Sequence, residues 1–412
     1  MKIKISTIYI IIFCIAFIPT GGIFGIDLNY WIKYILGAVW CVLGIQLISN
    51  RKNKARDGGI LRNYYGFLLI PFIVMLIHLP IVYFIYNQHF DGAVFNRIIS
   101  YFVQRCILLA IPIVAALYFK LNSIKYTFYA LCIDYSLVIM NAIIKYGIGN
   151  FVKFALSAWR DEWNEWQASN SIASALEVHD LTFAIGFFVL YYLLFSEQKN
   201  KVKDVKLWIA FLYMWLGFKR IEMLAILIAI IVMKVMLKKC AKKKINIKSA
   251  IINVGLIVVF IAFIAIVKSN EIQDLALQYA INFNGRLHSY ALLKDYYSMS
   301  LLFLGRGYCY STLVLDRLQD LSIIHSDILK SFVDYGFIGF CLWISYYVYF
   351  LPKKFINESK SSMSKKTAII MITFSIYAMI TYLTDNTNVY FCFQTAYLLI
   401  PFAVLFEGMK RE

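Results

Sequence analysis

Long apolar runs separated by short polar breaks repeat along almost the whole of the 412-residue chain. Crossing a hydrocarbon core takes about 20 mostly apolar residues in a helix. A window of that length predicts twelve helices, at 5–20, 30–49, 65–86, 98–119, 126–146, 179–196, 206–217, 220–237, 249–267, 336–351, 367–384 and 390–406. The runs are continuous rather than alternating, which argues against a β-barrel. The expected fold class is therefore an all-α polytopic membrane protein, with residues 1–412 forming a single integral membrane domain.

The polar breaks carry an asymmetry. RKNKAR (51–56), EQKNKVKDVK (197–206), KKCAKKKINIK (238–248) and PKKFINESKSSMSKK (352–366) fall on one side of the twelve-helix layout, together with both chain ends. The segments 87–97, 145–178 and 268–335 fall on the other side and mix acids with scattered bases. The positive-inside rule makes the lysine-rich side cytoplasmic. Both termini are then inside, and two long loops, 145–178 and 268–335, are outside. The opening MKIKISTIYIIIFCIAF has the basic start and apolar core of a signal peptide. It has no small-x-small cleavage site before Pro19, so an uncleaved first span is expected.

Composition agrees with this layout. The chain is 61% hydrophobic, with mean hydropathy +0.69. Its formal net charge of +18 sits in short clusters between apolar runs. Such clusters fit anionic headgroups better than nucleic acid, and no nucleic-acid partner is expected. Six of the eight cysteines (Cys14, Cys41, Cys106, Cys132, Cys341, Cys392) lie inside apolar runs, Cys240 lies among lysines and Cys309 in the large polar loop. They form no CxxC pair, and packing is their expected role.

The candidate chemistry lies on the side away from the lysines. Within 268–335, Arg286, Tyr290, Leu293 and Tyr297 recur at helical spacing, so a helix is expected to begin near Arg286. Gly305-Arg306-Gly307 then permits a turn that could clamp an anion through backbone N–H groups and the guanidinium. A plain turn is the competing reading. His325 stands at the foot of a helix, ILKSFVDYG, that Ser326 or Asp327 can cap. A histidine there can take a proton, or it can simply be solvated. Lys219 and Arg220 mark the ends of the seventh and eighth spans, with Glu222 just inside the membrane. Arg105 and Asp134 lie deeper and are expected to pair with each other or with neighbouring spans. In the other loop, Trp159, Trp163 and Trp166 share a helical face around Arg160, as an interfacial anchor or a sugar-stacking surface. No DxD, HExxH or P-loop motif appears, so no metal or other cofactor is expected.

In order and sidedness these features resemble the O-antigen polymerase and O-antigen ligase superfamily. The resembling features are Arg220 opening a late span, then Arg286, the Gly305–Gly307 turn, His325, and the glycine-spaced entry at Gly336 and Gly339. The motifs cover roughly 207–351; the rest of the chain matches in hydropathy alone. The chain departs from the pattern in having Lys219 and Ser326 where a small polar residue and an asparagine are common. Arg160 is the only candidate for a further arginine in the earlier loop, and no glycine follows it there.

The resemblance implies a metal-independent glycosyltransferase of the bacterial inner membrane, acting at its outer face on a glycan carried by undecaprenyl pyrophosphate. Arg220 and Arg286 would hold the pyrophosphate, and His325 would take the acceptor's proton. Gly305, Arg306, Gly307, Arg160, Asp327 and Tyr290 would contact substrate. Membrane lipids are expected partners, as are a flippase and a chain-length regulator of the same pathway. A polymerase extending a lipid-linked chain is preferred over a ligase delivering glycan to lipid A-core. A transporter or flippase of lipid-linked sugars is the alternative of another class. Against it stand the absence of internal repeats and the long loop 268–335.

Overall fold

The structure is a computed structural model that describes residues 3–19, 23–24, 30–51, 54–88, 92–157, 172–176, 178–195, 204–217, 219–237, 242–269, 278, 286–318, 324–358 and 362–409. The regular elements among them are helical. In chain order they are α1 (Ile5–Phe17), α2 (Tyr30–Ser49), α3 (Lys54–Ile85), α4 (Gly92–Phe119), α5 (Asn122–Tyr146), α6 (Ile148–Ser157), α7 (Ile172–Leu176) and α8 (His179–Leu190). Then follow α9 (Val205–Leu216), α10 (Arg220–Leu237), α11 (Lys242–Ser269), α12 (Arg286–Leu293), α13 (Tyr310–Arg317), α14 (Asp327–Ser345), α15 (Leu351–Glu358), α16 (Ser362–Thr381) and α17 (Phe391–Gly408). Wider turns at Tyr191–Phe195 and Tyr346–Phe350 prolong α8 and join α14 to α15.

Each of the twelve predicted apolar segments falls on a helix. Among the described residues, seven helical stretches are long and apolar enough to cross a membrane: Tyr30–Ser49, Lys54–Ile85, Val94–Phe119, Asn122–Tyr146, Ile245–Ser269, Asp327–Asn357 and Phe391–Gly408. Ile5–Phe17, His179–Phe195 and Val205–Leu216 are apolar but shorter. The chain is a polytopic helical membrane protein. In lipid only a helix or a closed barrel satisfies its own backbone, which is why the apolar runs take this form.

The helices sort by what surrounds them. α17 is almost wholly buried and packs against α4, α5, α8 and α16. α3 and α11 lie at the margin, with Ile73, Ile77, Phe84, Val254 and Val258 facing outward. Close approach needs small residues, because lipid tails give helices no hydrophobic reason to associate. α2 accordingly lays Gly37 and Gly44 on Ile111 and Val114 of α4, where a Cβ on Gly44 would stand 2.2 Å from Val114 Cγ1.

Described residues of two basic breaks, 51–56 and 352–366, lie at one end of the bundle. There Arg51 Nη2 donates to Tyr118 O (2.9 Å), Arg56 Nη2 to Met409 O (2.8 Å) and Lys354 Nζ to Asn63 Oδ1 (3.1 Å). We call this end the lysine-rich face. The segments expected to carry chemistry meet at the opposite face.

Candidate functional site

The opposite face is organised around a broken helix. The sequence predicts a helix ILKSFVDYG (328–336) and a span starting at 336. In the structure these are one rod, α14, interrupted at Gly336, whose backbone is non-helical (φ 71°, ψ −175°). Only glycine adopts that region without strain. The break leaves peptide groups without helical partners, and buried ones must find others. The stretch 303–307 supplies them. Arg306 N donates to Val333 O, Gly307 N to Asp334 O and Phe337 N to Phe303 O, all at 2.9 Å. A Cβ on Gly305 would stand 2.3 Å from Gly336 N, and one on Gly336 2.2 Å from Leu304 C. Gly305 and Gly336 are therefore glycines because two backbones touch there. The Asp334 carboxylate adds a tether, accepting from Cys309 N (3.0 Å) and Ser311 N (2.9 Å) at the start of α13.

This corrects the expectation for the Gly305–Gly307 turn. Its N–H groups at 306 and 307 are spent on α14 and cannot clamp an anion. The Arg306 guanidinium lies 4.3 Å from the Tyr86 ring, and its Nε donates to Tyr296 O (3.1 Å).

His325 lies just before α14, which Ser326 caps by accepting from Leu329 N (3.2 Å). Its Nδ1 faces Asp385 Oδ1 at 4.0 Å, an ion-pair distance rather than a hydrogen bond. Asp385 belongs to the short turn between α16 and α17 and is 2% exposed, whereas the His325 side chain is 33% exposed. The carboxylate serves several donors at once: His179 Nδ1 at 3.0 Å on Oδ2, with the Tyr390 hydroxyl (2.7 Å) and Asn386 N (2.8 Å) on Oδ1. Lys219 Nζ stands 3.1 Å from His179 Nε2. An ammonium can only donate, so Nε2 accepts and the His179 proton sits on Nδ1, directed at Asp385. The result is a chain, Lys219 to His179 to Asp385 Oδ2, with His325 facing the other oxygen, Oδ1. Burial pushes the Asp385 carboxyl up, but the two histidines and the Lys219 charge outweigh it and hold it well below the usual carboxylate range.

Neighbouring groups fix this turn. Asp327 Oδ2 accepts from Asn388 N (2.7 Å), and Asp327 N reaches Asp385 O (3.4 Å). Beside His179, Asp180 accepts from Phe391 N, Cys392 N and Phe393 N (2.8–3.1 Å) and stands 3.9 Å from Lys33 Nζ. It thus caps α17 from another helix and ties the α8 and α17 starts together.

Of the residues singled out in the sequence, the structure brings together His325, Asp327, Tyr290 and Arg286. Arg286 and Tyr290 lie on one helix, α12, whose described residues run Arg286–Leu293. Tyr290, one turn on, donates to His325 O (3.3 Å); its hydroxyl, pushed up to about 12 by burial, remains a donor. Arg286 is half-buried and close enough to act on Tyr290. Arg220 is exposed at the first position of α10, while its neighbour Lys219 turns inward. Arg160, Trp159, Trp163 and Trp166 lie outside the described residues. Arg105 and Asp134 do not pair. Arg105 is buried beside Tyr308 and the Phe72 ring, and the Asp134 carboxylate is buried with no hydrogen-bond partner among the described residues.

Sequence reasoning missed Asp385, His179 and Tyr390. The available signals were the polar DNTN between two apolar runs and the His-Asp pair opening another, both on the same side as His325. Comparison with protein families, curated proteins and solved structures finds no match for this chain.

Proposed function

We propose that this chain is a polysaccharide polymerase. In this reading it is a twelve-span protein of a bacterial inner membrane with both termini in the cytoplasm. It moves a growing glycan from undecaprenyl pyrophosphate to a hydroxyl of an incoming lipid-linked repeat unit. The observation that carries the reading is the half-exposed His325 with Nδ1 turned to the buried Asp385 carboxylate. That orientation leaves Nε2 for a substrate hydroxyl, and the carboxylate stabilises the imidazolium that forms.

The step balances with the residues at hand. The acceptor oxygen attacks the anomeric carbon, its proton passes to His325 Nε2, and the bond from that carbon to the pyrophosphate oxygen breaks. The leaving pyrophosphate gathers charge and needs cations already in position. Arg286, on the helix whose Tyr290 touches His325, suits a bidentate phosphate contact. Arg220, exposed at the same face, is available to a substrate arriving there. Lys219 keeps the interior of the site positive through His179. Lipid below and water above meet at this face, where a lipid-anchored sugar phosphate would lie.

The test compares lipopolysaccharide or envelope-glycan gels from wild type, a deletion strain, and the variants Arg286→Ala, His325→Ala and Asp385→Asn, with each protein's membrane level measured. Loss of the ladder, with one repeat unit still attached to the core, is the expected result. Loss of all attached repeats while long glycan accumulates on the carrier would make the chain a ligase. Normal elongation in the deletion strain would overturn the enzyme reading.

A further inference from the structure

A large cavity lies away from the His325 site. It is a groove of about 850 Å³ between α3 and the α14–α15 rod, within the range of small-ligand pockets. Its wall is Ile70, Val74 and Met75 on one side and Ile338, Leu342 and Tyr346 on the other. Ile70, Val74, Ile338 and Leu342 are each more than two-fifths exposed, so the groove presents open apolar surface along its length. From Ile338 to Asn357 a helix rises roughly 28 Å, close to a full hydrocarbon thickness of about 30 Å.

The two ends differ. Toward the opposite face the groove closes on Phe303, Leu304 and His78, where His78 Nε2 is already hydrogen-bonded to Leu304 O at 2.8 Å. Among the described residues, no Lys or Arg lines that end. At the lysine-rich face it ends on Lys353, Lys354 and Asn357, and no carboxylate is among its lining residues. Lys353 Nζ rests on Tyr349 Oη (3.3 Å); Lys354 Nζ rests on Asn63 Oδ1 and over the Phe67 ring (4.8 Å). Both ammonium groups thus stand at the mouth of the groove.

We propose that this groove binds a membrane phospholipid with an anionic headgroup, its phosphate on Lys353 and Lys354 and an acyl chain along the α3–α14 wall. Charge complementarity selects the occupant. A pyrophosphate-linked carrier entering from the opposite face would bring its charge to the end that has no cation. A phospholipid of the lysine-rich leaflet brings its charge to the end that has two. The assignment rests on no catalytic role for any residue.

The test uses the full chain purified in detergent and stripped of lipid. Phosphatidylglycerol and phosphatidylcholine are titrated separately, with binding read by native mass spectrometry and by the unfolding midpoint. Wild type is expected to prefer phosphatidylglycerol by about thirtyfold, or about fivefold per lysine. Lys353→Gln with Lys354→Gln should abolish the preference while leaving weak binding of both lipids. Leu342→Trp, at an exposed wall position, should remove both. Equal affinity for the two lipids in wild type overturns the proposal. So does a preference that survives in the double lysine variant, or a polyprenyl lipid co-purifying with wild type and lost in Leu342→Trp.

Discussion

Replacing Gly336 by alanine tests whether the broken rod is held by backbone contact. The residue sits at φ 71° and ψ −175°, and its new Cβ would meet Leu304 C at 2.2 Å and Gly305 N and Phe303 O at 2.3 Å. These are main-chain atoms, so no rotamer change relieves the clash. The conformational strain alone costs about 1–3 kcal/mol. Moving 303–307 aside breaks three hydrogen bonds, each leaving buried groups unpaired at about 1–3 kcal/mol. The sum, about 4–12 kcal/mol, is comparable with the whole net stability of a typical domain. The assay is thermal unfolding in detergent, followed by tryptophan fluorescence and by the monodisperse fraction on size exclusion. Gly336→Ala should lower the midpoint by at least about 8 °C or leave no folded peak. Gly66→Ala, where an added Cβ meets nothing within 4 Å, should be neutral or gain about 0.5–1 kcal/mol as a helix-interior change. A Gly336→Ala protein unfolding within a degree or two of wild type would refute the account of the break.

Further outcomes follow from the Asp385 cluster. Asp385→Asn should lower the unfolding midpoint at pH 7, by an amount near the about 1.5–3 kcal/mol typical of a hydrogen bond to a charged group. Because the folded carboxyl is held below its unfolded value of about 3.9, its contribution is complete above that pH and is lost as pH falls through the folded value. The difference between wild type and Asp385→Asn should stay constant from about pH 5 upward and shrink in stronger acid; a difference unchanged down to the acid limit contradicts the assignment. Lys219→Gln should destabilise measurably while Arg220→Gln stays within about 0.5 kcal/mol, since the first is buried against His179 and the second is exposed. Equal midpoints would reverse the inward and outward roles given to these neighbours. Asp180→Ala removes a cap shared by three N–H groups and should cost about 2 kcal/mol, with Asp180→Asn intermediate on the same denaturation curves.

The sequence was readable where one segment decides its own structure. Helical spacing put Arg286 and Tyr290 on one helix, and the Ser326 cap followed from the polar residues before an apolar run. The partners of His325 were not readable in this way. Asp385 is 206 residues from His179, and which side chains a short DNTN turn meets depends on how α8, α16 and α17 pack. The same reason defeated the Arg105–Asp134 pairing, because depth in the bilayer alone does not say which helix faces which. Gly305–Gly307 failed differently. Its local signal, a turn with positive φ, was right, but the sequence near it did not reveal the interrupted helix that its N–H groups serve.

The insertion of 303–307 into α14 also bears on how this chain could be re-engineered. A loop that merely connects two spans can be exchanged between related proteins as a cassette. Here the stretch before α13 completes the hydrogen bonding of the rod that follows it, and Asp334 on that rod in turn anchors α13. A chimera that imports the loop without α14 would carry donors with no acceptors and an interruption with nothing to fill it. The smallest transferable module therefore runs from about Arg286 through the end of α14, and a swap should move that block whole.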